Sequence, residues 1–202
     1  MKTTILIINL LFITLTSCNN DDNGFTPTLP PATQSGENTF GCYVDGKLLT
    51  PRDGTGTYLG ADRGMQFLGL GTPPNYTYNE IKVRDFKSGN GGIIIIHFNN
   101  LHQNNEGVFD INQSNCQDGL SANNNINITC RLWNEETQEF EWFCSVNNTG
   151  KLTVTKYNFE NRLLSGTFSC SVVNQNNPND IIEITEGRFD IKWDTLPNTT
   201  FP

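Results

Sequence analysis

The sequence predicts an all-β protein with a single antiparallel domain, either a β-sandwich or an open, barrel-like sheet. Asparagine is unusually frequent, with 28 of the 202 residues, and glycine and proline together contribute another 27. This composition disfavours helices and favours turns. From residue 38 onward, short apolar runs alternate with turn residues at intervals of about ten residues, which is typical of all-β domains. No stretch of ten residues has the 3.6-residue apolar period of an amphipathic helix.

Twelve runs rich in β-branched and aromatic residues are candidate strands. In chain order they cover residues 39–44, 47–50, 55–61, 65–70, 77–86, 92–98, 107–111, 126–133, 140–146, 151–159, 162–173 and 181–193. Asp45-Gly46 lies between the first two and predicts a tight hairpin, because both residue types tolerate a positive φ. The run Ile93-Ile94-Ile95-Ile96 is apolar on both faces and predicts a central strand covered on both sides. At most one short helix or helical turn is expected, within residues 113–122.

The last strand contains a change of parity. Ile182 and Ile184 share one face of an extended chain, whereas Phe189 and Ile191 share the other. A strand changes its buried face only through an extra residue. We therefore predict a β-bulge at Glu186-Gly187, where glycine suits the bulged position.

Three segments divide the chain. Residues 1–17 begin with Lys2 and continue into an apolar run that is too short to span a bilayer, so they predict a secretory signal peptide. Residues 18–37 contain three prolines among Thr, Ser and Gly and have no apolar period. Such a composition predicts a flexible tether. Residues 38–202 form the predicted β domain.

The end of the signal segment resembles the lipobox of bacterial lipoproteins, on the residues Leu15-Thr16-Ser17-Cys18. The resemblance implies that Cys18 becomes the first residue of a mature lipoprotein and carries acyl chains such as palmitate. Two or three chains give a stable membrane anchor, whereas one holds only marginally. The next residues, 19–23, resemble the acidic export signal of Bacteroidetes lipoproteins sent to the cell surface; the alternative is a solvated acidic tether without a sorting role. We therefore expect a protein lipid-anchored in the outer membrane and facing outward.

Four motifs in the β region together resemble a family of Bacteroidetes surface lipoproteins of unknown function. They are GCYVDGK at residues 41–47 with Pro51, GKLTVTK at 150–156, SGTF at 165–168 and ITEGRFD at 184–190. The resemblance covers roughly residues 38–193, and the closing motif is its most specific part. It implies a surface or periplasmic β domain, and it transfers no catalytic residue.

Five cysteines follow Cys18 in a chain that is expected to reach an oxidising compartment. A hairpin turn centred near Thr137 would place Cys130 opposite Cys144, which permits a disulfide between them. The alternative is two small buried thiols in adjacent core positions. A Cys42–Cys116 pair is a weaker possibility, because Cys116 lies in a polar segment whose path is uncertain.

The sequence contains no motif that identifies a reaction. We expect no cofactor and no metal, since the cysteine spacings match no zinc site. The formal net charge of −8 and the pI near 4.7 give no reason to expect nucleic acid as a partner. Tyr76 and Tyr78, beside two prolines, are candidates for ligand contact, with coverage of the core as the alternative. Asp194-Thr195-Leu196 resembles the Bacteroidetes acceptor sequence for O-glycosylation, which implies a modification at Thr195.

The function expected from these observations is that of a lipid-anchored envelope or surface protein without catalytic activity. It would bind a glycan or protein ligand, or serve as an accessory protein in the outer membrane. The alternative is a hydrolase that uses carboxylates on an extracellular polymer. A buried acid pair with shifted pKa values in the main cleft would favour the hydrolase.

Overall fold

A computed structural model describes residues 25–58, 60–72, 75–88 and 91–202. In these residues the chain is nearly all β, with one four-residue helix α1 (Leu101–Asn104) and two 3₁₀ turns, Gly119–Ser121 and Leu196–Asn198. The strands are β1 (Thr39–Val44), β2 (Lys47–Leu49), β3 (Met65–Thr72), β4 (Asn75–Arg84), β5 (Ile93–Phe98), β6 (Gly107–Ile111), β7 (Asn127–Asn134), β8 (Glu139–Asn158), β9 (Leu163–Asn174) and β10 (Ile181–Lys192).

The strands form a single antiparallel sheet that curls into a half-barrel. Their order across the sheet is β2-β1-β10-β9-β8-β7-β5-β4-β3, and β6 pairs with the second half of β8. The prediction of an all-β domain is confirmed, and the sheet has the open, barrel-like form. Strand β8 is one 20-residue strand where two were predicted, with a register irregularity between Ser145 and Gly150.

Turn residues explain why the predicted Asp45-Gly46 hairpin forms and why the predicted strand 55–61 does not. Asp45 and Gly46 have φ values of 49° and 72° and join β1 to β2, as predicted. The predicted strand 55–61 does not form; Thr57 and Gly60 instead make an isolated bridge across a short turn. Gly56, at φ 81°, has left the extended conformation that a strand needs.

The predicted bulge in β10 is confirmed between Ile184 and Gly187. Glu186, rather than Gly187, is the residue in the left-handed region, at φ 51°. Gly187 is needed for packing rather than for its φ angle. A Cβ at this position would lie 2.5 Å from the ring of Phe168. The bulge therefore moves the buried side of β10 to Phe189, and the missing side chain of Gly187 makes room for Phe168.

The core occupies the inside of the curled sheet. Phe168 lies between Phe40 and Phe189, with ring centroids 5.7 and 6.3 Å away. The thiols of Cys42, Cys130 and Cys170 are free and lie in the same core. Burial raises the pKa of each, to about 12 for Cys170. All six residues of β5 are buried, so the prediction of a strand covered on both sides is confirmed.

Part of the predicted tether is bound to the domain. Asp190 of β10 accepts hydrogen bonds from Thr33 Oγ1 at 2.7 Å and from the backbone amides of Ser35, Gly36 and Glu37 at 2.9–3.2 Å. Residues 33–37 are therefore held against the sheet, which corrects the expectation of a flexible segment as far as residue 37. These residues are ordered because the buried carboxylate of Asp190 accepts the hydrogen bonds that their backbone amides must make.

Candidate functional site

The predicted Cys130–Cys144 disulfide is wrong, because Cys144 pairs with Cys116. The β7–β8 turn contains four residues, so Thr129 lies opposite Cys144 and Cys130 lies opposite Phe143. This register differs by one residue from that of a turn centred at Thr137, and a shift of one residue reverses the face. Cys130 consequently points into the core, and the weaker Cys42–Cys116 alternative is also excluded.

The disulfide attaches residues 112–125 to the outer face of the half-barrel. The Cα atoms of Cys116 and Cys144 are 5.5 Å apart. Ser114 Oγ shares a 2.6 Å hydrogen bond with Thr129 Oγ1, and Lys82 Nζ lies 2.9 Å from a carboxylate oxygen of Asp118. This covering loop, residues 112–125, packs against the outward side chains of β4, β5, β7 and β8.

Buried polar side chains lie beneath the covering loop. Glu80 and His97 are 2% and 3% exposed, and His97 Nδ1 lies 2.9 Å from Glu80 Oε1. The same carboxylate oxygen accepts the backbone amide of Gly119 at 2.7 Å. Tyr78 stacks on His97 with ring centroids 5.4 Å apart. Burial raises the pKa of Tyr78, and the charges of Glu80 and Asp118 add to the effect. The cluster holds the loop in place.

Beside the covering loop, the outer face carries a row of large side chains. Pairing across four strands aligns Arg84 with Ile93, Ile93 with Arg131, and Arg131 with Trp142. The guanidinium carbon of Arg131 lies 4.5 Å from the ring centroid of Phe140 and 5.6 Å from that of Trp142. Such cation–π contacts hold a guanidinium in a fixed position.

An aromatic platform continues this row toward the β7–β8 turn. We use this name for Trp133, Phe140 and Trp142, whose alternate positions place them on one face of the hairpin. Trp133 and Phe140 contact edge to face at 5.1 Å, and Phe140 is 42% exposed. Trp142 also lines a cavity of about 310 Å³ between the hairpin and the covering loop. The other lining residues are Ile95, Cys116, Gln117, Asp118, Thr129 and Gln175.

The cavity, the row and the platform together form what we call the outer-face cleft. Trp142 lines its cavity, whereas Trp133 also lines the second concavity described below. It combines flat apolar rings with amide, carboxylate and guanidinium groups. Sugar rings are recognised by this combination, through contact of their apolar faces and hydrogen bonds to their hydroxyls.

A second concavity, the mouth cleft, opens at the end of the half-barrel where β1, β9 and β10 meet their turns. Its volume is about 1010 Å³. Its floor is apolar and its rim is acidic, and the acidic residues are Asp45, Asp85, Glu135, Glu136, Glu141 and Asp180. Asp85 is neutralised by Arg52, whose Nε lies 2.7 Å from Asp85 Oδ1.

Two carboxylates of the mouth cleft share one amide. Asn174 Nδ2 donates to Glu141 Oε2 and to Asp180 Oδ2, each at 2.9 Å. The two oxygens therefore lie no more than about 5.8 Å apart. Retaining glycosidases hold their two carboxyl groups about 5–5.5 Å apart.

The sequence-predicted site residues fall in different places. Tyr78 lies on the outer face, but one side of its ring is occupied by His97. Tyr76 belongs to β4, and its side chain lies outside the described part of the structure, as does Cys18. Thr195 is exposed, and its hydroxyl accepts from Asn38 Nδ2 and donates to the carbonyl of Lys192, each at 3.1 Å.

Sequence reasoning did not single out Arg84, Arg131 or Trp142 of the outer-face cleft. One usable signal was the alternation in β4, where outward Lys82 and Arg84 interleave with inward Ile81 and Val83. Among the described residues, no group of three His, Cys, Asp or Glu side chains is placed to hold a metal ion. None of the helices that these residues form has the length and apolarity of a membrane span.

In comparisons with known proteins, no family model matches the chain, and no curated protein or solved structure matches it either.

Proposed function

We propose that the protein is a lipid-anchored surface protein of the outer membrane that binds an extracellular glycan in its outer-face cleft. The observation that carries the binding proposal is the aromatic platform beside the cavity. Three large rings share one face of a hairpin, and amide and carboxylate groups stand next to them. Phe140 is 42% exposed and contacts both Trp133 and the guanidinium of Arg131, so the platform presents an accessible ring next to a fixed cation.

A binding assay with a matched pair of variants tests this proposal. Trp142→Ala removes a ring from the cleft, whereas Tyr58→Ala removes a fully exposed ring that lines neither cleft. In affinity electrophoresis against a panel of neutral and acidic polysaccharides, we expect at least one to retard the wild-type chain. Trp142→Ala should weaken that retardation about tenfold or more, and Tyr58→Ala should leave it unchanged. Failure of every polysaccharide to bind would overturn the proposal.

The anchor is proposed on the resemblance of residues 15–18 to a lipobox. Labelled palmitate should enter the wild-type protein and not the Cys18→Ser variant, and globomycin should block removal of the signal segment. Surface location is tested by protease treatment of intact cells, which should cleave the wild-type protein. A Cys18→Ser protein that still sediments with membranes would contradict the anchor.

A second function, glycoside hydrolysis, is favoured by the paired carboxylates of the mouth cleft. The shared amide of Asn174 holds Glu141 and Asp180 at a distance compatible with an acid and a nucleophile. If the protein hydrolyses a glycan, Glu141→Gln and Asp180→Asn should each abolish the release of reducing ends, and Asp45→Asn on the same rim should retain it. Equal activity in all three variants, or no activity in the wild type, would exclude this function.

A further inference from the structure

We propose that the outer-face cleft binds an acidic glycan, and that Arg84 and Arg131 contact the carboxylate or sulfate groups on its sugar rings. This inference rests on the proposed glycan binding and names the class of ligand. It concerns two arginines whose guanidinium groups lie over aromatic rings, Arg84 over Phe86 and Arg131 over Phe140 and Trp142.

The two arginines are arranged as a pair. They lie on either side of Ile93, on strands β4 and β7, and both point away from the core. Neighbouring strands are about 4.8 Å apart, so the two Cα atoms are separated by about 10 Å. One anionic group can be held between two such side chains, or one by each. Each planar guanidinium offers two parallel N–H donors to a carboxylate or sulfate.

Neither arginine forms an ion pair with any residue that the structure describes. The Nε atoms of both are buried and, within the described residues, have no hydrogen-bond acceptor. In a chain with a net charge of −8, two adjacent cations without a carboxylate partner are unexpected. The cost is visible at Arg131, where burial, followed by the like charge of Arg84, lowers the pKa of the guanidinium below its usual range.

A bound anion at the terminal guanidinium nitrogens would offset this cost, because its negative charge neutralises the repulsion between the two arginines. The neighbouring Lys82 does not take this role, since Asp118 already pairs with it at 2.9 Å. The hydrogen bond from Lys82 is the main cause of the lowered pKa of Asp118. The positive charge of Arg84 makes only the smallest contribution to it. The unsatisfied positive charge is therefore concentrated at Arg84 and Arg131.

The surroundings indicate a sugar ring rather than an isolated ion. Trp142 lies directly beside Arg131 on the next strand, and Phe140 packs on the same guanidinium. Gln117 and Gln175 line the adjoining cavity and can bond to hydroxyls. A site for a small inorganic anion needs only the charges, whereas an acidic sugar uses the charges, the rings and the amides together.

The test uses the purified full chain, in a detergent without a sugar headgroup, and isothermal titration with three probes. Polygalacturonate carries carboxylates, dextran sulfate carries sulfates, and dextran carries no charge. We expect an anionic probe to bind and dextran to bind at least tenfold more weakly. Arg84→Gln and Arg131→Gln should each weaken binding of the anionic probe about tenfold or more. Lys151→Gln removes the same charge from an exposed position on β8 outside both clefts and should have no effect.

Two further readouts keep the result interpretable. Thermal unfolding of each variant should match the wild type, which separates lost contacts from lost folding. Arg131→Lys keeps the charge but not the two-pronged donor, so it should retain only part of the affinity. If polygalacturonate and dextran sulfate differ, the stronger probe identifies the anion as carboxylate or sulfate.

The outcomes distinguish this inference from the proposed function. Binding of dextran as tightly as of both acidic probes, unaffected by Arg84→Gln and Arg131→Gln, would overturn the acidic-glycan inference and leave glycan binding intact. Binding of an acidic probe that Lys151→Gln weakens as much as Arg131→Gln would also overturn it, because a nonspecific charge effect would then explain the affinity. Failure of all glycans to bind would overturn both.

Discussion

At the scale of single residues, Gly187 shows how one missing side chain supports the core. The bulge in β10 brings this position against the ring of Phe168, which is itself 3% exposed. Any Cβ would have to displace a ring that packs between Phe40 and Phe189. A closely packed core has no empty volume into which that ring can move.

We therefore predict that Gly187→Ala lowers the free energy of unfolding by about 1–3 kcal/mol, as overpacking does elsewhere. Chemical unfolding in urea measures the change. Glu186→Ala is the matched control, because the residue is exposed and lies at the same bulge; it should stay within about 0.5 kcal/mol of the wild type. Equal effects of the two variants would show that the contact with Phe168 is unimportant.

Asp190 carries a second prediction at this scale, because it holds the N-terminal segment. Burial alone would raise its pKa, but hydrogen bonds from Ser165, Thr33 and the amides of Glu37 and Gly36 lower it below the usual range. The stabilisation is therefore fully present above about pH 4, the pKa of an aspartate in the unfolded chain, and is lost as the pH falls through the lower folded value.

At neutral pH, Asp190→Ala should lower the free energy of unfolding by about 3 kcal/mol, since several buried donors lose their acceptor. The difference from the wild type should shrink as the pH falls below about 4. Urea unfolding at several pH values measures both effects, with the exposed Asp110→Ala as control. A difference that does not change with pH would contradict the role of the ionised carboxylate.

At the scale of elements, the β7–β8 hairpin separates what the sequence could predict from what it could not. Both strands were predictable from their apolar residues and the polar segment between them. The register was not, because turns of four and five residues fit the same polar segment. The chain forms the four-residue turn, in which Asn134 Oδ1 accepts the amides of Glu136 and Thr137. That one-residue difference decides which face Cys144 occupies, and with it the disulfide.

We predict that the Cys116–Cys144 disulfide stabilises the domain by about 3 kcal/mol, since it closes a loop between residues 28 positions apart. Urea unfolding of Cys116→Ala/Cys144→Ala should show this loss, and a reducing agent should lower the wild type to the level of the variant. Peptide mapping after blocking free thiols should join residues 116 and 144. Blocked thiols at both positions would contradict the pairing.

The candidate site was less predictable than the strands, and the reason is again geometric. The outward direction of Lys82 and Arg84 follows from the alternation within β4. The neighbourhood of Arg84 and Arg131 does not, because these residues lie 47 positions apart and meet only through β5. The path of residues 112–125 over the outer face could not be predicted from the sequence either. It depends on the disulfide and on the buried Glu80–His97 pair, both of which join residues far apart in the chain.

At the scale of the whole molecule, the two clefts divide the surface by charge. The mouth cleft is acidic at one end of the half-barrel, and the outer-face cleft has unpaired positive charge on the side. An acidic glycan would be repelled by the first and attracted by the second. The proposed lipid anchor would keep this binding surface at the cell exterior, where such polymers are met.

Hydrogen exchange of the full chain, with and without whichever of polygalacturonate and dextran sulfate binds more tightly, would locate the bound glycan on the domain. Binding in the outer-face cleft should slow exchange in residues 112–125, which cover its cavity, and leave residues 45–49 and 176–182 at the mouth cleft unchanged. Slowed exchange confined to the mouth cleft, or no change anywhere, would rule out glycan binding in the outer-face cleft.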